Sequence, residues 1–353
     1  MKILYIANGL RYGGLERQLT EIIKEMALRN NEIYLIDLHK AYPLTSSVKQ
    51  YLSQEICYID RRKSKIPFSL LKIYKLCKQI NPDIIHVMDS FSAFYAMPVA
   101  KLLKIKFING AIRHAGVSSG FEYKWERFLL KSADMIISNS KAGLDFYGLP
   151  GKVLYNFLNR NRFQTTKASL KRIVMNANFS DYKDQLTLFK AAQLLFEENK
   201  IELVSLIGDG KNRAFYESVA KTMGLEKKIK FLGYVDAVEN ELLNYGIGIL
   251  CSTKKYKEGI SNSILEYMGS GLIAIGPNIG GIPEIIEDGY NGFLYEPENH
   301  ISLYNKINYV LDHQSKMGEI RNNAYKTLDN QFNPNINCYL LDNWYETLKN
   351  SNN

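Results

Sequence analysis

"GIGILCSTKKYKEGISNSILEYMGSGLIAIG" runs from Gly246 to Gly276. Two short runs without a polar side chain, "GIGIL" and "LIAIG", bracket a polar turn and a segment whose apolar residues recur at helical spacing. Apolar runs of this length, uninterrupted by alternation, suit strands buried on both faces, and such strands belong to parallel sheets covered by helices. The stretch therefore reads as strand, turn, helix, strand. Working outward, "RIVMNAN", "ELVSLIG" and "KIKFLG" repeat the rhythm upstream. Ahead of the polar stretch "NRNRFQTTKASLK", so do "KILYIA", "EIYLIDL", "EICYID", "DIIHVM" and "KFINGAI". This alternation predicts an α/β protein with two Rossmann-like parallel-sheet domains facing across a cleft. The boundaries fall at residues 1–165, 166–332 and 333–353. The last of these is an amphipathic helix, "NINCYLLDNWYETLKN", expected to cross back onto the first domain.

Composition narrows the class. The 353 residues are 46% hydrophobic and 23% charged, as in ordinary globular domains, and two domains suit the length. No apolar run is long enough to span a bilayer, and "MKILYIANG" reads as a first strand rather than a secretory leader. Four cysteines are widely spaced with no CxxC pair, which argues against a zinc site or disulfide framework and suits a reducing, cytoplasmic compartment. Residues 1–165 carry 25 lysines and arginines against 13 acids, a net +12, while the remainder carries 20 against 23. One half is thus suited to an anionic surface. No helix-turn-helix, zinc finger or aromatic RNA-binding signature points to nucleic acid, so a membrane leaflet is the expected partner. The basic run Arg61–Lys65 leads into "FSLLKIYKLCKQI", where Lys72, Lys75 and Lys78 repeat every three residues beside an apolar flank of Phe68, Leu71, Tyr74 and Leu76. Peripheral association at the inner face of the plasma membrane is the expectation, the alternative being a solvated helix face on a soluble protein.

The chemistry centres on the opening stretch. Glu258 follows a strand, and Glu266 lies in the next helix, which starts near Ser261; the two are roughly 8–10 Å apart along the axis. The helix's first backbone amides suit phosphate, and carboxylates suit sugar hydroxyls. A ligand with a sugar at each end and phosphates between is a sugar nucleotide. Spacing alone leaves open that both are ordinary surface charges.

"EGISNSILEYMGSGLIAIGPNIGGIPEIIEDGYNGFLYEPEN" resembles the donor-site segment of family 4, group 1 glycosyltransferases, which are retaining enzymes of the GT-B fold with an E-x7-E signature. "GGLER", "SADMIISNS", "KVLYNFLN", "LIGDGKN" and "KFLGYV" extend the resemblance along the chain. It implies transfer of a hexose from a UDP- or GDP-linked donor to a glycan or lipid-linked acceptor in bacterial surface polysaccharide assembly. It implies that Glu258 meets the donor hexose and Glu266 the ribose, with Gly259, Ile260 and Ser261 holding phosphate or sugar. Lys183 would neutralise the leaving diphosphate, but Asn178 stands where the family pattern has arginine, and Lys254, Lys255 or Lys257 are candidates to replace that charge. Gly13 and Gly14 form a tight strand-to-helix turn whose glycines suit positive φ, and the resemblance brings them toward the diphosphate. Gly208, Asp209 and Gly210 form a loop near the nucleotide, and Tyr234 and Val235 lie near the base. His114 would contact the donor sugar, with Glu16, His86 and Arg113 toward the acceptor. His39, His300 and His313 read as surface residues. No D-x-D motif is present, so neither metal nor cofactor is implied. Two alternatives remain: a sugar-nucleotide-binding relative without transfer, and a nicotinamide-dependent oxidoreductase, although the first glycine turn lacks GxGxxG spacing.

Overall fold

A computed structural model describes all residues except 12, 40, 41, 43, 117–119, 352 and 353. The chain forms two compact units. One comprises Met1–Arg113, Ser118–Asn156 and Pro334–Asn353, and the other His114–Val117 and Phe157–Asn333.

The first unit runs β1 (Lys2–Ala7), α1 (Gly14–Leu28), β2 (Glu32–Asp37), α2 (Thr45–Val48), β3 (Cys57–Tyr58), α3 (Ile66–Ile80), β4 (Ile84–Val87), α4 (Ser90–Leu103), β5 (Lys106–Ile112), α5 (Phe121–Lys131), β6 (Met135–Ser138), α6 (Lys141–Tyr147) and β7 (Lys152–Val153). Among the described residues its seven strands lie in the order β3-β2-β1-β4-β5-β6-β7, all parallel. Leu4, Ile6, Ile85, Val87 and Phe107 face one core with Ile73 and Cys77 of α3, Ala96 and Val99 of α4 and Leu129 of α5. The alternating residues Tyr5 and His86 are paired neighbours and point the other way.

The second unit runs β8 (Arg172–Asn176), α7 (Gln185–Glu197), β9 (Leu203–Ile207), α8 (Arg213–Thr222), β10 (Ile229–Gly233), α9 (Val238–Leu242), β11 (Ile247–Ile249), α10 (Asn262–Gly269), β12 (Ile273–Pro277), β13 (Phe293–Tyr295), α11 (His300–Asp312) and α12 (Met317–Gln331). The order is β10-β9-β8-β11-β12-β13, again parallel. As expected of doubly covered strands, β9 and β12 are buried at every position.

The closing helix, α13 (Pro334–Asn350), belongs to the first unit. Its Tyr345 hydroxyl sits 3.0 Å from that of Tyr5 and 2.6 Å from Nδ1 of His86, and Asp342 accepts from Asn31. Among the described residues, no helix is long and apolar enough to cross a membrane.

Candidate active site

In the second unit the strand order reverses between β8 and β11, the switch point where open parallel sheets bind ligands beyond their carboxyl ends. Asn176 ends β8, and Ser252 lies just beyond β11. Three backbone contacts stitch the Tyr182–Asp184 turn to the end of β11. Lys183 bridges Ser252, the Thr253 amide donates to the Tyr182 carbonyl at 3.0 Å, and the Asp184 amide donates to the Cys251 carbonyl at 3.2 Å. Asp184 then caps α7 by accepting from the Thr187 amide.

This stitching brings Lys183 to Glu258 although 75 residues separate them. Lys183 Nζ donates to Glu258 Oε1 at 2.5 Å, and the Ser252 hydroxyl donates to the same oxygen. Both charged side chains are only 14% exposed, so their attraction is less screened than that of a surface pair. The Glu258 backbone is held equally firmly. Its carbonyl accepts from the Gly281 amide at 2.7 Å. A Cβ on Gly280, whose φ is +62°, would lie 2.2 Å from that carbonyl oxygen, and one on Gly281 would lie 2.7 Å from the Gly259 carbonyl carbon. Only glycine permits such backbone-on-backbone packing at Gly280.

His114, on the short segment counted with this unit, forms an antiparallel bridge with Glu258, and the Ala115 amide donates to the Lys257 carbonyl. Its ring lies 5.4 Å from that of Tyr256, which stacks on Tyr182 at 4.1 Å. Beyond Glu258, the buried Gly259, Ile260 and Ser261 lead into α10, and the Ser261 side chain makes no capping bond. Glu266 is 7% exposed, and its Oε2 accepts from Asn176 Nδ2 at 2.8 Å. Asn176 is the hub of this corner. Its amide donates to the Tyr267 hydroxyl, which donates onward to the Ile249 carbonyl, and its own carbonyl accepts from Ser263. The structure thus joins Glu258, Lys183 and His114 in one cluster and sets Glu266 a turn and a half along the adjoining helix. Sequence reasoning missed Ser252, Asn176, Tyr182 and Tyr256, none of which stands out by motif.

Other expected residues fall differently. Gly208 and Gly210 have φ of +127° and +155°, and Cβ atoms there would strike the carbonyls of Ala177 and Phe179 at 2.3 and 2.7 Å. Their close approach is to the neighbouring 177–179 loop, a packing reason that the nucleotide reading did not contain. Asp209 accepts from the Gly210 amide and lies 3.8 Å from Arg213; Tyr234 is exposed and Val235 half-buried. Asn178 accepts from Ser180. Lys254 leans toward Glu296 at 3.7 Å and is mostly exposed.

In the first unit, Gly13 has φ of −139°, so no positive φ explains it; the Glu16 carboxylate occupies the place of its Cβ, 2.1 Å away. Gly14 is the first residue of α1, and the left-handed turn of this loop belongs to Gly9, with φ of +97°. Burial raises the Glu16 carboxyl. Arg113 donates to Asn156, and burial lowers its guanidinium to about 10, still a cation at neutral pH. His86 corrects the acceptor-side expectation. It is 1% exposed, held by Tyr345, and pushed down to about 3 by burial and then by the charge of Arg113. A neutral imidazole inside the core cannot meet an acceptor. His39, read as a surface residue, is also buried.

Two known families match the chain, "Glycosyltransferase Family 4" over residues 12–161 and "Glycosyl transferases group 1" over residues 159–327. The chain belongs to the family 4, group 1 glycosyltransferases. The curated relatives of this glycosyltransferase include N-acetyl-alpha-D-glucosaminyl L-malate synthase of Bacillus anthracis, 26% identical over 78% of this chain and 79% of that one. A second is the GalNAc-alpha-(1->4)-GalNAc-alpha-(1->3)-diNAcBac-PP-undecaprenol alpha-1,4-N-acetyl-D-galactosaminyltransferase of Campylobacter jejuni, 25% identical over 92% of both. Among solved structures, HepE of Anabaena in complex with UDP-glucose superposes with a TM-score of 0.83 at 20% identity, covering 98% of this chain and 100% of that one. The fold is therefore GT-B.

Proposed function

We propose that this glycosyltransferase moves a hexose, with retention of configuration and without a metal ion, from a nucleoside-diphosphate sugar to a lipid-linked glycan at the inner face of the plasma membrane. The Campylobacter relative's undecaprenol-linked acceptor and the UDP-glucose bound to HepE support the acceptor and donor classes. The observation that carries the reading is the Glu258 carboxylate, held by Lys183 and Ser252 immediately before the N-terminus of α10.

In this reading the donor hexose hydroxyls take over the Glu258 carboxylate, while Lys183 and the α10 amides face the diphosphate. The C1–O bond to phosphate breaks as the acceptor oxygen forms its bond to C1 on the same face. The acceptor's proton passes to the departing phosphate oxygen. Lys183 then acts chiefly on charge that develops late, the condition under which electrostatic stabilisation raises turnover rather than affinity. Asn178 adds no charge, which makes Lys183 the principal side-chain cation for the leaving group. The test is release of nucleoside diphosphate from a donor panel with and without acceptor, with the anomeric configuration of the product read by NMR. Acceptor-dependent release with an α-linked product from an α-linked donor is the expected result. Tight donor binding with no acceptor-dependent release would make the protein a sugar-nucleotide binder, and an inverted product would remove the same-face step.

A further inference from the structure

The first unit exposes aromatic side chains that its own core does not use. On α5, Phe121, Trp125 and Phe128 follow one another at spacings of four and three, and are 79%, 38% and 53% exposed, whereas Leu129 and Leu130 are the buried residues of that helix. Trp125 stacks on Phe128 with centroids 5.6 Å apart and touches Phe94 of α4 at 5.9 Å. One turn before Phe94, Phe91 is 57% exposed and lies under the Arg61 guanidinium at 4.6 Å. The aromatic strip is therefore continuous with the basic run that opens α3, where Ile66, Phe68 and Leu71 are also exposed. Of the apolar flank expected on α3, Phe68 and Leu71 face solvent, while Tyr74 and Leu76 pack inward.

Two features say what covers this strip. The first is charge. Arg62, Lys63, Lys65, Lys72 and Lys75 are exposed beside the α3 end and Lys124 and Lys131 beside the α5 aromatics, with Glu122 the one exposed acid of α5. Exposed basic side chains outnumber exposed acids along the strip, and an anionic leaflet complements that excess. The second is position. α3, α4 and α5 share the sheet face opposite Tyr5, His86 and the closing helix, and Phe68, Phe91 and Phe121 stand at their N-terminal ends. In a parallel α/β sheet those ends lie at the carboxyl edge of the strands, where ligands bind. Aromatic rings at a headgroup boundary keep an apolar body in the acyl region and tolerate wet edges.

We infer that Phe121, Trp125 and Phe128 of α5 insert into an anionic bilayer, with the Arg61–Lys65 run held at its headgroups, so that the membrane lies against the ligand edge of the first unit. This deepens the lipid-linked acceptor reading and rests on it. Attraction through lysines brings the protein to the surface, and the aromatics set depth and orientation.

Trp125 and Trp344 are the two tryptophans, so a Trp344→Phe protein reports on Trp125 alone. On vesicles of phosphatidylcholine with a third phosphatidylglycerol, Trp125 emission should shift to the blue and be quenched by lipids brominated near the glycerol end of the acyl chain. Phe121→Ser with Phe128→Ser should weaken vesicle binding about tenfold or more at every salt concentration. Replacing Arg62, Lys63 and Lys65 by Ser should instead remove mainly the salt-sensitive part. Vesicle binding that leaves Trp125 open to aqueous iodide, or that survives the paired Phe substitutions unchanged, would overturn the inference. So would a blue shift that follows protein concentration without vesicles, which would make the strip an interface between copies. Donor binding to the same preparations without vesicles separates the outcomes: its loss would sink the transferase reading, and its presence with no insertion would sink this one alone.

Discussion

The two units share a topology and use its switch point in opposite ways. Each sheet reverses strand order beside its first strand, between β1 and β4 in one and between β8 and β11 in the other. In the second unit the polar residues at that point gather around two carboxylates at the mouth of a helix: Asn176 at Glu266, and Ser252 with Lys183 at Glu258. In the first, Tyr5 and His86 of the matching strands turn inward and bond to Tyr345 of the closing helix. One switch point gathers polar and charged side chains at a helix N-terminus, and the other joins α13 to β1 and β4. Catalytic defects should therefore follow from the first set of contacts and stability defects from the second.

The largest expected effect is at Lys183. Lys183→Ala should lower turnover about 10²–10³-fold, the scale for losing one preorganised charge-stabilising group, while changing donor affinity much less. Because Lys183 also neutralises Glu258, the single substitution leaves a half-buried carboxylate unpaired. The double substitution with Glu258→Ala separates that penalty from the loss of catalysis. Turnover within threefold of the native enzyme would move the diphosphate away from Lys183 and dissolve the contrast between the units.

Glu266 comes next. Glu266→Ala should weaken binding of free nucleoside diphosphate and of intact donor alike by roughly 1.5–3 kcal/mol, the range for a hydrogen bond to a charged group. Glu266→Gln is the control, since it keeps an acceptor for Asn176 and so preserves the corner's packing. Titration calorimetry showing unchanged affinity in a folded Glu266→Ala protein would reduce the residue to a structural partner of Asn176.

The first unit's switch point should answer to pH instead. The folded-state pKa of His86 is about 3, below the ordinary value near 6.5, so the unfolded chain takes up this proton first. Stability from this group is complete above pH 6.5 and is lost as pH falls toward 3. Between pH 7.5 and 5.5 the loss is about 1.4 kcal/mol. Asp37, raised by burial to about 6, works with opposite sign over part of that window, so the useful quantity is the difference between native and His86→Gln proteins. Urea unfolding at the two pH values should show the native protein losing more. Equal losses would mean that His86 is not held neutral in the core, while donor binding should be the same in both proteins.

Strand and helix alternation was legible because both sheets are parallel and doubly covered, which writes their strands as apolar runs. The Glu258–Glu266 spacing was legible because both lie on one strand-to-helix connection. Asn176 was not, since it lies 90 residues from Glu266 and only the adjacency of β8 and β11 brings it there. The burial of His86 was equally hidden, because a histidine at a strand end reads the same whether a later helix covers it or not. Phe121, Trp125 and Phe128 hold the spacing of a core stripe, and periodicity alone does not say which stripe of a helix meets the sheet.

The smallest catalytic effect sharpens the comparison most finely. Ser252 donates to the same Glu258 oxygen as Lys183 but carries no charge, so it orients the carboxylate without contributing to the leaving group. Ser252→Ala leaves Glu258 its bond to Lys183, so the cost should lie at the low end for a hydrogen bond to a charged group, about 1.5 kcal/mol, or roughly tenfold in kcat/KM with intact donor. Free nucleoside diphosphate lacks the hexose that Glu258 serves, so its affinity should not change. Ser252 is fully buried and Ala is smaller, so the fold should tolerate the substitution. Equal weakening of donor and free nucleoside diphosphate would show that Glu258 faces the phosphates, and the division of labour between Glu258 and Lys183 would have to be redrawn.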